Sequence, residues 1–445
     1  MERKDKEFYK RHVADLSAQD IVKGIRDKTV SFEELRDTEE FSFAKQKQVK
    51  EQLAKFEEED NAFNRATTVP QMRDFLLRFP QSSYSETVRD RISQNEKAEG
   101  EARRKRISHI RKNINDYTPD EVRREFGEDM LRELCDDLDI DYDLVNNYDE
   151  PTLVFNDIPK IDSDVPEGYT DVFFWGIPSS GKTCALAAIL RTIKDKYTMT
   201  SPTIEKKFGA TYRDSLINIF NKKAGYLPAA TQKDRTQYIP FLLKKRDEKY
   251  YRQISFFELS GEVFKYFYEL ENESDILDDD DRDHVQNAFR TLNLLLNSKN
   301  QKIHFFFIDY NQETKGTKDK HNLTQENYLE AAATYFRDNN NIFKKKTDAV
   351  YIVVTKADEI KEDEDSKAEL AKHFLSENFG GFMDVIKTRC KKDSVDFNVK
   401  MFSIGDVYFK RICKINYTYA ENFVEDLLKK IRPKSDSKFG NFLRS

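Results

Sequence analysis

Cysteine is scarce in this chain, with four residues in 445: Cys135, Cys184, Cys390 and Cys413. None stands in a C-x-x-C spacing, so neither a zinc site nor a disulfide framework is suggested, and scattered free thiols fit a reducing compartment. Long apolar runs are missing as well. No stretch approaches the roughly 20 apolar residues of a membrane-spanning helix. The opening Met1-Glu-Arg-Lys-Asp-Lys-Glu7 lacks the apolar core of a secretory signal, so a cytoplasmic location is expected. Neither sign of charge dominates: 75 Lys and Arg against 81 Asp and Glu give a net charge of −6. That supplies no general attraction to nucleic acid or to an anionic membrane.

What is present is charge and aromatic bulk. Charged residues make up 35%, above the roughly one quarter that is usual, which suits long solvated helices. Aromatics at 13% argue against wholesale disorder. The length allows about two to three domains.

The pattern changes near residue 150. Before it, apolar residues recur three and four apart, as at Phe75, Leu76 and Phe79. Pro80 should end that helix, and Ser82 or Ser83 caps the next, which carries Val88 and Ile92. This helix, Pro-Gln-Ser-Ser-Tyr, helix arrangement resembles the edge of a single tetratricopeptide-type hairpin, without a repeating period. The basic run 102–112 reads as a solvated helix face. Thr118-Pro-Asp-Glu121 is a helix start, with a helix expected to about Leu138. The acidic segment from Asp136 to Asp143 lacks the glycine and terminal Glu of a calcium loop and reads as a plain loop. Residues 1–150 are therefore expected to form an all-helical region, a surface for a protein partner.

After Pro151, strand-like runs alternate with helical stretches: 171–175, 238–243, 253–259, 303–309, 349–355 and 399–404. Such alternation implies an α/β domain with a largely parallel sheet. The acidic stretch 275–283 is expected as a loop between two helices. A last helix, 419–431, precedes Pro433 and a flexible tail, 434–445.

Gly176-Ile-Pro178-Ser179-Ser180-Gly181-Lys182-Thr183 matches G-x-x-x-x-G-K-[ST] in full. A strand precedes it and a helical run from Cys184 follows. Glycines let the backbone close around phosphates, and its N–H groups with the helix N-terminus supply positive potential. Lys182 can reach the β- and γ-phosphates, and the Thr183 hydroxyl can ligate Mg²⁺. The chain is thus expected to bind a nucleoside triphosphate with Mg²⁺.

Two apolar segments, 237–243 and 250–258, flank a polar turn, and the second ends in Glu258-Leu-Ser-Gly261-Glu262. Farther on, Thr355-Lys356-Ala357-Asp358 follows the strand 350–354, and Ser403 ends the run 399–404. With these, residues 165–433 resemble the translation-factor-related (TRAFAC) class of P-loop GTPases. The texture is similar to divergent bacterial GTPase-like domains of conflict and defence modules. The resemblance implies a Ras-like fold: a mostly parallel sheet with one antiparallel hairpin, here with insertions near 262–300 and 310–345. It implies that Gly261 donates its N–H to the γ-phosphate. Glu258 stands where the family has a Mg²⁺-sensing Asp, and Glu262 where many members carry a water-orienting Gln. The Glu262 carboxylate could orient or activate water, or serve as a plain helix-start acid. Asp358 would read guanine through its N1–H and N2 amino group, which adenine does not offer together, with Lys356 over the ring and Ser403 against the base. A first-switch threonine on Mg²⁺ is expected at Thr231, with Thr236 the second candidate.

The resulting expectation is a GTP-binding protein with slow Mg²⁺-dependent hydrolysis, a switch coupled to the helical region. No residue announces itself as an arginine finger. Arg213 and Arg235 are candidates, and a partner or a second copy in a homodimer could supply one. Two alternatives differ in class: a motor- or signalling-type ATPase, with Glu258 as its catalytic carboxylate, and a scaffold that holds nucleotide structurally.

Overall fold

A computed structural model of the chain describes residues 5–146, 153–155, 165–202, 209–220, 224–228, 236–273, 279–338 and 346–433. It forms two compact units, residues 1–112 and 113–445. Among the described residues, no helix is long and apolar enough to cross a membrane.

The first unit is helical: α1 (Lys6–Arg11), α2 (Ala18–Arg26), α3 (Phe32–Arg36), α4 (Phe43–Arg65), α5 (Val69–Arg78) and α6 (Ser85–Lys112). Ser17, Ser31 and Ser42 accept backbone N–H groups at the starts of α2, α3 and α4, satisfying donors that a helix start leaves unpaired. Its apolar residues gather in two small clusters, one around Val13, Ile21, Leu35 and Val49, the other around Met72, Phe75 and Val88. α5 ends before Pro80, as the pattern predicts. The basic run 102–112 is the last third of α6, and Ile110 alone in it is buried.

The second unit begins with α7 (Pro119–Phe126), α8 (Glu128–Leu138) and α9 (Tyr142–Asn146). Thr118 and Glu121 form a reciprocal capping box at the start of α7. The single helix expected from Thr118 to about Leu138 is broken at Gly127, whose φ of 88° is a conformation that glycine takes without a Cβ penalty. These helices, which the sequence groups with residues 1–150, find partners in the second unit. The Tyr226 phenol donates to the Leu144 carbonyl, and Lys410 and Lys414 pair with Glu121 and Asp139.

The central sheet has seven strands: β1 (Thr170–Trp175), β2 (Thr198–Thr200), β4 (Gln237–Lys244), β5 (Arg252–Glu258), β6 (Gln301–Asp309), β7 (Thr347–Thr355) and β8 (Asp396–Phe402). Their order is β2-β4-β5-β1-β6-β7-β8. β1 runs parallel to β5 and β6, and the parallel pairing continues through β7 and β8; β4 is antiparallel to both β5 and β2. The α/β class expected from the sequence, with a mostly parallel sheet and one antiparallel hairpin, is the class observed. A second sheet was not foreseen. It joins β3 (Ala224–Tyr226), β10 (Ile412–Ile415) and β9 (Gly405–Tyr408).

Both faces of β1, β4, β5, β6 and β7 are buried, which is why these strands read as nearly continuous apolar runs. Val172, Phe174, Phe256 and Phe305 face α10 (Lys182–Lys196), α11 (Ala210–Ile219) and α18 (Thr418–Lys430). Phe173, Trp175, Phe257 and Phe306 face the other layer, which includes α12 (Val263–Asn272), α13 (Asp279–Leu296), α15 (Gln325–Asp338), α16 (Glu364–Asn378) and α17 (Gly380–Lys392). A short helix, α14 (Tyr310–Thr314), follows β6 directly. The acidic stretch 275–283, expected as a loop, is helical from Asp279 onward as the start of α13, and 274–278 lie outside the described residues. The tail 434–445 also lies outside them.

Candidate functional site

Five segments converge because five strands end on one side: β1 at Trp175, β5 at Glu258, β6 at Asp309, β7 at Thr355 and β8 at Phe402. In α/β sheets ligands bind outside the carboxyl ends of the parallel strands.

The loop after β1 is built to be tight. Gly176 has φ 151°, and a Cβ there would lie 2.5 Å from Ser180 Oγ and 2.7 Å from the Phe307 carbonyl. Gly181 has φ 87° and Ser179 φ 63°. Ser180 is buried, and its hydroxyl donates to the Ile177 carbonyl at 2.8 Å. Lys182 opens α10 and folds back under the loop, where its ammonium donates to the Gly176 and Ile177 carbonyls at 2.7 and 2.8 Å. Burial lowers its pKa to about 8, opposed by the charges of Glu258 and Glu262.

The segment after β5 lies on this loop. A Cβ on Gly261 would lie 2.3 Å from Pro178 N. Glu258 is 1% exposed. One carboxylate oxygen accepts from the Thr183 hydroxyl, and the other accepts from the Tyr212 phenol at 2.5 Å. Burial raises its pKa, while Thr183, Tyr212 and Lys182 oppose that rise. Glu262 occupies the cap position of α12, makes no side-chain cap bond, and is ion-paired with Lys265 at 2.7 Å.

The segment after β7 is tied to the loop through Thr355, whose hydroxyl lies within hydrogen-bonding distance of the Ser180 and Ile308 carbonyls, at 3.0 and 3.2 Å. Lys356 is left-handed (φ 57°), and its ammonium pairs with Asp309 at 2.6 Å. Asp309 is fully buried and also caps α14, accepting from the N–H groups of Asn311 and Gln312. The Ser403 hydroxyl donates to Asp358 Oδ1 at 2.6 Å and accepts from the Gly405 N–H at 3.0 Å. Burial raises the Asp358 pKa, and the bond from Ser403 opposes it.

A cavity of about 660 Å³ lies between the end of the phosphate loop and the segments after β7 and β8. Gly181 and Cys184 line it at the phosphate-loop end, Thr355, Lys356 and Asp358 along one wall, and Ser403 beside them. Burial pushes the Cys184 thiol up to about 12, so it lines the cavity as a neutral group. The second sheet and the α7 region contribute Tyr408, Lys410 and Asn115.

Of the residues expected at the site, Gly176, Pro178, Ser179, Ser180, Gly181, Lys182, Thr183, Cys184, Glu258, Gly261, Glu262, Thr355, Lys356, Asp358 and Ser403 lie on segments that the fold brings together. Thr231 and Arg235 lie outside the described residues. Thr236 directly precedes β4; it is 2% exposed and, among the described residues, its hydroxyl has no hydrogen-bond partner. Arg213 is buried on α11, where its guanidinium donates to Ser201 and pairs with Asp214. Two participants were missed: Asp309, signalled by an acid closing an apolar strand run, and Tyr212, for which the sequence offers no signal.

The donor set suits Mg²⁺, which takes oxygen ligands, keeps several waters and leans on phosphate oxygens. Thr183 and Glu258 both offer oxygen atoms, and the Thr236 hydroxyl, unpartnered among the described residues, precedes Gln237, which pairs across the sheet with Glu258. Among the described residues there is no cluster of three or more His, Cys, Asp and Glu side chains that could hold a metal unaided.

The chain matches no protein-family model and no curated protein. Among solved structures it is similar to one titled as a nucleolar GTP-binding protein 1 from Plasmodium falciparum, at 10% identity and a TM-score of 0.25, over 60% of this chain and 89% of that one. It is also similar to the Ski7 GTPase-like domain of S. cerevisiae, bound to GTP, at 15% identity and a TM-score of 0.27, over 52% of this chain. The match spans 43% of the Ski7 chain. At such scores the function rests on the site itself.

Proposed function

We propose that this chain binds GTP with Mg²⁺ and hydrolyses it slowly, acting as a nucleotide switch. The observation that carries this reading is the single cavity running from Gly181 and Cys184 to Asp358 and Ser403. A carboxylate at its base end can accept both the N1–H and the N2 amino group of guanine. Adenine lacks that pair of donors, and a buried acceptor left unpaired rejects the wrong ligand strongly.

In this reading the loop N–H groups and Lys182 hold the phosphates. Thr183 and a first-switch threonine, Thr231 or Thr236, would hold Mg²⁺, with Glu258 behind Thr183; the ion would neutralise charge on the β- and γ-phosphates. Gly261 would meet the γ-phosphate. Glu262 would orient water once its pairing with Lys265 loosens. With no arginine finger assigned, hydrolysis should be slow until a partner or second copy supplies one. The antiparallel β4–β5 pair supports placement in the TRAFAC class, and the kinship with bacterial defence-type domains rests on sequence texture. Residues 165–433 would be the nucleotide-binding body and the N-terminal helices the surface for a protein partner.

The ATPase reading needs Glu258 as a free catalytic carboxylate, and both its oxygens are engaged by Thr183 and Tyr212. Competition against a fluorescent GTP analogue in Mg²⁺ tests the choice. Displacement by GTP at concentrations at least about tenfold below those of ATP supports it; equal displacement favours the ATPase. Tight binding with no turnover, even with partners, favours the structural scaffold.

A further inference from the structure

Glu258 stands where the resembling family carries Asp, and the extra methylene carries its carboxylate one C–C bond farther, about 1.5 Å. The longer side chain spans two elements. Its Oε1 accepts from Thr183 at the start of α10, and its Oε2 accepts from Tyr212 on α11. Tyr212 is wholly buried and stacks on Phe155 with ring centroids 5.5 Å apart. A threonine hydroxyl that commits its one proton to a carboxylate has only lone pairs to offer elsewhere.

We propose that Tyr212 is a positioning residue for the divalent cation: it fixes Glu258, which holds the Thr183 proton and turns the Thr183 lone pairs toward the metal of a bound nucleotide. This rests on the nucleotide reading above. Carboxylates that orient a ligand are themselves held by hydrogen bonds, and loss of such an outer partner lowers metal affinity by about 10–100-fold. The chain Tyr212–Glu258–Thr183 also ties the cation site to α11. That helix belongs to the stretch between the phosphate-loop helix and β4, where the first switch is expected.

The test is a Mg²⁺ titration of fluorescent GTP-analogue binding to the full chain, with affinity in EDTA as the reference. Tyr212→Phe keeps the buried ring and removes only the hydroxyl. It should raise the half-saturating Mg²⁺ concentration about tenfold relative to wild type, with the thermal midpoint of the nucleotide-free protein retained. Glu258→Asp withdraws the carboxylate from Tyr212 and should produce a similar shift. Adding Tyr212→Phe to Glu258→Asp should then add nothing, because the two changes break one link. A Tyr212→Phe titration that superimposes on wild type overturns the proposal, as do shifts that simply add. If Tyr212→Phe lowers the thermal midpoint, Glu258→Asp alone decides: an unshifted Mg²⁺ requirement overturns the proposal. Wild type that binds no GTP analogue at any Mg²⁺ concentration overturns the nucleotide reading, and this proposal with it.

Discussion

Gly261 and Pro178 meet backbone to backbone: a Cβ on Gly261 would lie 2.3 Å from the Pro178 nitrogen and 2.7 Å from the Ile177 carbonyl carbon. The segment leaving β5 therefore sits on the phosphate loop itself, and movement of one must displace the other. Gly261→Ala should push the loop out of register. We expect GTP affinity to fall at least about tenfold, or 1.4 kcal/mol, read by equilibrium titration. Unchanged affinity would mean that the contact does not shape the site.

Ser403 supports Asp358 with a 2.6 Å hydrogen bond. A hydrogen bond to a charged group contributes about 1.5–3 kcal/mol, so Ser403→Ala should weaken GTP by roughly tenfold and leave ATP little changed. Burial already raises the Asp358 pKa, and Ser403 opposes the rise. Removing the hydroxyl should raise it further, so the loss should deepen as pH falls. Competition titrations at several pH values check both points.

Lys182 gives a pH dependence of opposite sense. Its folded pKa is lowered to about 8, chiefly by burial, and phosphate at the site should raise it. A group whose pKa rises on binding favours the complex fully below its free value. Affinity should therefore hold up to about pH 8 and decline above it, with protons taken up on binding. Titration calorimetry in buffers of different ionisation enthalpy measures that uptake.

Asp309 and Lys356 form a mixed pair, the carboxylate fully buried and the lysine side chain 40% exposed. Asp309→Asn keeps the shape and removes the charge. The surviving lysine remains solvated, so stability should change little, within about 1 kcal/mol. GTP should dissociate severalfold faster, because Lys356 would lose the anchor that sets its stem. Stopped-flow dissociation of a fluorescent analogue checks this.

Five of the main strands were legible because two-sided burial turns each into a largely apolar run, as in Phe305-Phe-Phe-Ile308, whereas β8 is only partly buried. The phosphate loop was legible because its glycines answer to backbone geometry. Thr355 to Asp358 gained weight from the strand before it. The second sheet was not legible: β3, β9 and β10 are three or four residues long, too short for alternation to register. Gly127 broke a helix that periodicity alone carried through. Tyr212 reads as an ordinary core tyrosine on α11, and its bond to Glu258 exists only once residues 46 apart in sequence are brought together.

If Asp358 reads guanine, exchanging the nucleobase together with residue 358 should exchange the preference. Xanthine carries a carbonyl where guanine carries the N2 amino group. In Asp358→Asn the side-chain oxygen can still accept from N1–H, while its amide can donate to that carbonyl. Affinities for GTP and XTP should be measured with Mg²⁺ on wild type and on Asp358→Asn. Wild type should prefer GTP and the variant should prefer XTP. An unchanged preference in the variant would contradict guanine reading by Asp358.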